Sequence, residues 1–133
     1  MNTIYFYYTI KGDDLSLVDI SNDIPVSANL YEKGRVYFNN EIQKKYAKPQ
    51  KTNRWSYFLI SEKGENINDL LKKAEKDLSP FWKMITSYTS RYHTLLDIVV
   101  YEESGKFNLR LTKKSMDIID KMNAKLSISF FDW

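Results

Sequence analysis

Apolar positions along this chain change period several times, and the changes mark out its elements. Thr3 to Ile10 is a run of β-branched and aromatic residues, the composition of a strand. Lys11, Gly12, Asp13 and Asp14 follow as a turn whose carboxylates are placed to cap what comes next. Leu15, Val18 and Ile20 then predict a short helix, closed by Ser21, Asn22, Asp23 and Pro25. Ser27 to Tyr31 reads as extended, and Gly34 permits a turn before Arg35 to Phe38. Residues 39 to 54 read as a long polar loop, or a loop carrying a helical turn. Trp55 to Ser61 alternates as a strand does, with Trp55, Tyr57 and Leu59 on one face and Phe58 and Ile60 on the other.

In the second half, Asn66 or Asn68 is placed to cap a helix through Asp77, whose apolar stripe is Ile67, Leu70, Leu71, Ala74 and Leu78. Ser79 and Pro80 restart it, Ser as cap and Pro at the first helical position, and Phe81, Ile85 and Tyr88 continue the face. Tyr92 to Tyr101 is the clearest strand, with Leu95 to Val100 marking it as central. Ser104-Gly105 is a hairpin signal, which makes Phe107, Leu109 and Leu111 the partner strand. Thr112 caps a last helix with Met116, Ile119 and Met122 as its buried stripe. An Asn123-Ala124 joint leads to a closing strand with Leu126, Ile128 and Phe130 pointing one way. That strand reads as covered; at an edge its aromatics would instead invite strand addition by a partner or by a second copy, the route to a homodimer. The predicted architecture is α+β, one domain over residues 1–133. Its sheet is largely antiparallel, of about five to six strands, with two to three helices packed on it.

Composition supports a single packed domain. The chain has 133 residues, of which 43% are hydrophobic and 15% aromatic, enough for a core without disulfides or a metal. There is no cysteine, which removes thiolate catalysis and thiolate metal sites and fits a reducing compartment. No apolar run approaches the roughly 20 residues that span a bilayer. The first residues lack a basic region and a small-residue cleavage site, so a cytoplasmic location is the expectation. Lys preferred over Arg, with plentiful Asn, Ile and Tyr, is usage common in AT-rich bacterial genomes. A net charge of +3 and a pI of 8.9 fall short of the strongly basic balance of most nucleic-acid binders.

Chemistry-bearing groups are sparse. His93 is the single histidine, so any Ser-His-Asp arrangement would rest on it; its place at the mouth of a strand reads as a half-exposed structural residue. Asp13-Asp14 and Glu102-Glu103 are paired carboxylates in predicted turns, where such pairs are ordinarily solvated or capping. Lys33-Gly34 lacks the Gly-rich run of a phosphate loop. The expectation is therefore no catalytic set, no metal ligands and no cofactor. The one stretch that stands out runs from Lys44 to Trp55. Lys44, Lys45, Lys48, Lys51 and Arg54 lie there with Tyr46 and Trp55, and no acidic residue stands between Glu41 and Trp55. Such a segment complements an acidic protein surface or grips a phosphate backbone, and its bland reading is a solvated loop. Trp55 itself, opening an alternating strand, belongs to the core.

The order of these pieces resembles a known bacterial family, the domain of unknown function 4279, over nearly the whole chain. The resemblance rests on Gly12-Asp13-Asp14-Leu15 after the first strand, Pro25, Lys33-Gly34 and Asn53-Arg54-Trp55-Ser56-Tyr57. It continues through the Leu70-Leu71 helix with Leu78 and Pro80, then Leu109 to Thr112, and the closing Asn123 to Phe131. Pro25-Val26-Ser27 departs from the Pro-Thr pair of many members, and Ser129 stands where an acidic residue is common. The resemblance implies helices packed on a largely antiparallel sheet, and it carries over no catalytic residues. The function expected is binding of a protein partner, with an immunity-type inhibitor of a bacterial toxin as one form. A nucleic-acid or small-ligand binding domain is the alternative, and a hydrolase using His93 the remote one.

Overall fold

The computed structural model describes residues 2–103, 105 and 109–132. The chain forms β1 (Asn2–Gly12), α1 (Leu17–Asp23), β2 (Ala28–Tyr31), α2 (Glu41–Tyr46) and β3 (Asn53–Ile60). It continues with α3 (Ile67–Leu78), a 3-10 turn (Ser79–Phe81), α4 (Trp82–Thr89), β4 (His93–Glu102), α5 (Lys113–Met122) and β5 (Lys125–Asp132). The strands make one open sheet in the order β2-β3-β1-β4-β5. Every neighbouring pair is antiparallel except β4 and β5, which run parallel and are joined through α5. The α+β, largely antiparallel architecture agrees with the pattern of the sequence.

β1 lies in the middle and pairs on both sides along almost its whole length. Its even-numbered residues Ile4, Phe6, Tyr8 and Ile10 are buried under the helices. They meet Trp55 and Tyr57 of β3, Leu96, Ile98 and Val100 of β4, and apolar side chains of α1, α3, α4 and α5, in one core. The odd-numbered residues face the other side of the sheet, which no helix among the described residues covers. The amphipathic stripe of α3 buries the residues its spacing predicts: Ile67, Leu70, Leu71, Ala74 and Leu78. Asn66 is its cap, in a capping box with Asp69. Asn68 has another task. Its side-chain oxygen accepts from the Thr112 amide at 3.0 Å and the Ser115 hydroxyl at 2.6 Å, and its amide donates to the Arg110 carbonyl at 2.8 Å. One side chain thus fastens α3 to the start of α5.

Several local readings are corrected. The cap of α1 is Ser16, whose hydroxyl accepts from the Asp19 amide, and Val18 points to solvent while Leu15 and Ile20 are buried. Ser79 does not open a new helix as its cap: its backbone is helical, its amide closes the end of α3 on the Glu75 carbonyl, and the chain passes through the 3-10 turn into α4. Thr112 caps α5 as expected, but the buried stripe there is Ser115, Ile118 and Met122, with Met116 exposed and Ile119 half-buried. The bonds from Asn68 draw Ser115 inward and so fix the rotation of that helix. Of the strand expected over Phe107, Leu109 and Leu111, the described part, Leu109 and Leu111, is not paired with β4, which has β1 on one side and β5 on the other. Leu109 and Leu111 pack on the core as irregular chain, while Ser104 and Phe107 lie outside the described residues. β5 stands at the sheet margin and is not covered: Leu126, Phe130 and Phe131 are all exposed. No physical rule in the sequence distinguishes its apolar alternation from that of a covered strand.

Tyrosine hydroxyls tie the helix layer to itself and to the sheet. Tyr8 donates to the carbonyl of Met122 in the last turn of α5, satisfying one of the carbonyls that a helix end leaves open. Tyr57 on β3 donates to Asp77 of α3, and Tyr88 on α4 to Asp23 of α1, both at 2.6 Å. Tyr8→Phe leaves a buried carbonyl unmet and is expected to cost about 1–3 kcal/mol in a urea titration, with the fold retained. Burial first, then the bonded carboxylate, holds the Tyr88 hydroxyl above its ordinary value of 10.0, at about 12. Burial raises Tyr8 as well, and burial with Asp77 raises Tyr57. A raised folded-state value stabilises fully below the unfolded value and is lost as pH climbs through the folded one. Denaturant midpoints should therefore stay level up to about pH 10 on this account, and fall between about 10 and 12. Tyr88→Phe should flatten part of that fall.

Candidate functional site: the open face of the sheet

Register across the strands arranges the uncovered side of the sheet in rows. Towards one end, Phe131, Tyr101 and Thr3 lie abreast, then Ser129, Val99, Tyr5 and Ile60. The next row holds Ser127, Asp97, Tyr7 and Phe58. The aromatic rings form a continuous group. Tyr5 lies 6.3 Å from Phe58 and 5.5 Å from Tyr101, Tyr7 lies 5.0 Å from Phe58, and Tyr101 lies 5.3 Å from Phe131, between ring centres. Burial raises the Tyr7 hydroxyl above its ordinary value, and Tyr5, Tyr101 and Tyr31 push it the same way. It remains a neutral donor at physiological pH.

A polar row follows, in which Thr9 and Ser56 share a hydrogen bond of 3.0 Å beneath longer neighbours. Beyond it the character changes to cationic. Lys11 of β1 stands directly opposite Arg54 of β3 on one side and His93 of β4 on the other, and Arg54 in turn faces Tyr31 of β2. The Nε of Arg54 is buried and has no hydrogen-bond partner. Among the described residues no ion pair involves Lys11, Arg54 or His93.

Arg54 is the one member of the predicted basic segment that lies in the sheet. Lys44 and Lys45 are on α2, and Lys48 and Lys51 in the irregular chain after it. This loop leaves the sheet at the same end as the cationic row. Its neck is closed by bonds from the Gly34 amide to the Gln50 carbonyl and from the Gln50 amide to the Arg35 carbonyl, at 2.9 and 2.8 Å. Gly34 has a φ of +85°, the left-handed region that suits glycine in such a turn. α2 buries none of its residues. Lys44 lies 5.6 Å over the Phe38 ring and Lys45 5.8 Å over Tyr46, so each lysine is held by an aromatic of its own loop. Trp55 is in the core as expected, with Tyr8 packed edge-on against it.

The remaining sequence candidates fall elsewhere. His93 makes no hydrogen bond to a carboxylate or hydroxyl among the described residues, and Lys11 is its neighbour across the ladder. Asp13 pairs with Lys33 at 3.6 Å in the turn after β1. Glu102 is buried at the end of β4 and Glu103 sits in the turn that follows, far along the sheet from His93. Among the described residues no three His, Asp or Glu side chains converge as a metal set would, and no helix is long and apolar enough to cross a membrane. A cleft of about 510 Å³ lies beside β3, between Pro25 to Ser27, Phe58, Lys76 and Phe81, with the Tyr57–Asp77 pair in its wall. The aromatic group and Lys11 were not singled out as site residues. Their signal was present in the alternation of β1 and in the assignment of Phe58 and Ile60 to a second face.

A family model described as a domain of unknown function, DUF4279, matches residues 2–133. The chain belongs to the DUF4279 family. Neither the curated proteins nor the solved structures contain a match to it. The DUF4279 match spans all five strands, so the aromatic group, the cationic row and the loop beside it all lie within the family's domain.

Proposed function

We propose that this DUF4279 domain acts by binding a protein partner on the open face of its sheet. The observation that carries the reading is a contiguous exposed apolar group on a face with no helix over it: Phe58 is 36% exposed, Ile60 45% and Phe131 49%. Solvent-facing sheets normally show polar side chains there, and a joined apolar patch of this kind marks a contact surface. Aromatic centres with charged margins are the usual anatomy of protein interfaces. The margin strand β5 adds an edge suited to strand addition, by the partner or by a second copy. An immunity-type inhibitor, which disables a toxin by covering it, requires such a face and no catalytic group of its own. A cytoplasmic location accords with that role and with the absence of cysteine.

Nucleic acid fits the face less well. The rings of Tyr5, Tyr7 and Phe58 are packed on one another, which occupies surfaces that bases would stack on. Asp97 lies directly opposite Tyr7 and would repel a phosphate chain crossing the aromatic rows.

Tagged wild-type protein and a Phe58→Lys, Ile60→Lys variant, used as bait in the protein's own cells, test the reading. A stoichiometric protein retained through a high-salt wash by the wild type and lost from the variant is the expected result. Both side chains are exposed, so the variant's thermal midpoint should stay within a few degrees of the wild type. Retention of nucleic acid alone, removed by salt, or equal retention by both baits, would count against the proposal.

A further inference from the structure

We propose that the row formed by Arg54, Lys11 and His93 is a receiving site for the carboxylates of an acidic segment of the partner protein. The inference rests on the reading of the open face as a protein-binding surface and names the chemistry of what it binds. Side chains directly opposite in an antiparallel pair are about 5 Å apart at Cβ, and like charges so placed destabilise the sheet. Here Lys11 and Arg54 are held in that relation. Elsewhere the fold does pair its charges, as in Lys73 with Glu65 at 2.7 Å and Lys33 with Asp13. Among the described residues the row receives no such partner, and Arg54 keeps a buried Nε without an acceptor. A buried donor left unmet costs free energy that an incoming anion restores.

A carboxylate-bearing protein segment suits the whole face better than other anions do. Lys125, at the start of β5, lies abreast of Leu95 beside the row, and the loop with Lys44, Lys45, Lys48 and Lys51 stands off the same end of the sheet. Acidic residues would meet this end while apolar ones settle on Tyr5, Tyr7 and Phe58. The cations gather at one end and are not interleaved with Tyr5, Tyr7 and Phe58, and Asp97 sits among those aromatic rows. That separation matches a segment whose charge is local, in contrast to the evenly charged backbone of a nucleic acid.

The test uses hexaglutamate and, for comparison, a six-residue oligothymidylate, each titrated at low salt into isotope-labelled full-length protein. Amide signals are followed by nuclear magnetic resonance. Hexaglutamate should move the signals of Lys11, Arg54 and His93 saturably. Lys11→Glu and Arg54→Gln should each weaken its binding about tenfold, the equivalent of one charge-assisted contact. Lys11→Glu supplies the missing counter-charge from within the chain, so its melting temperature should rise by a few degrees even as binding falls. That opposite movement separates a ligand site from a merely structural role. No saturable shift at the row, tighter binding of the oligothymidylate, or a lowered melting temperature for Lys11→Glu would overturn the assignment. Failure here with the Phe58→Lys, Ile60→Lys variant still losing its protein would refute the row and leave the face; loss of neither would refute the face itself.

Discussion

Everything in this molecule hangs on the two-sidedness of β1. It is flanked by β3 and β4, and its alternation sends Ile4, Phe6, Tyr8 and Ile10 into the core and Tyr5, Tyr7, Thr9 and Lys11 to the open face. A slip of one residue would exchange the two sets, placing Lys11 under the helices and Phe6 in water. Register is held from both ends. Tyr8 bonds the end of α5, and Gly12 lies so close to the Tyr92 ring that a Cβ there would stand 2.6 Å from it. The same strand thus fixes the core and aligns the candidate site, and the two cannot be altered independently.

The two faces are built on opposite terms. On the helix side, polar groups have partners: Tyr57 with Asp77, Tyr88 with Asp23, and Asn68 with three groups around the start of α5. On the open side, apolar rings meet solvent and cations face one another across the ladder. A sheet selected for stability alone would put threonines and alternating charges there. Local features that weaken the isolated fold persist when something outside it makes use of them. That asymmetry, more than any single side chain, is the ground for reading the face as a contact surface.

The fold was legible where one rule dominated. Strands β1, β3 and β4 announce themselves by β-branched and aromatic runs, and α3 by a stripe at helical spacing, because local pattern and burial agree there. The readings failed where a long-range contact decided. The rotation of α5 is set by Asn68, dozens of residues earlier in the chain, so helical spacing alone placed Met116 inside where Ser115 belongs. The supposed hairpin after β4 was displaced because α5 carries β5 to that position, and only the sheet's topology shows it. The candidate site was half legible. A charge run along the sequence drew attention to Lys44, Lys45, Lys48, Lys51 and Arg54, but the row that places Arg54 beside Lys11 joins residues from three strands. No linear window contains it.

Parallel pairing of β5 explains why the aromatic group reaches the margin of the sheet. Had the closing strand followed β4 through a tight hairpin, its direction would be reversed and Phe131 would lie at the other end. The crossover through α5 instead runs β5 alongside β4 in the same sense, setting Phe131 abreast of Tyr101 and stacked with it. Lys125, at the opposite end of the strand, is by the same geometry brought towards the cationic end, since Leu95 is its partner in the ladder. One connection therefore extends both halves of the face, apolar at one end and basic at the other, out to the last strand. A partner that engages both halves must lie along the strands, and its own charge must be concentrated towards the end that meets Lys11 and Arg54.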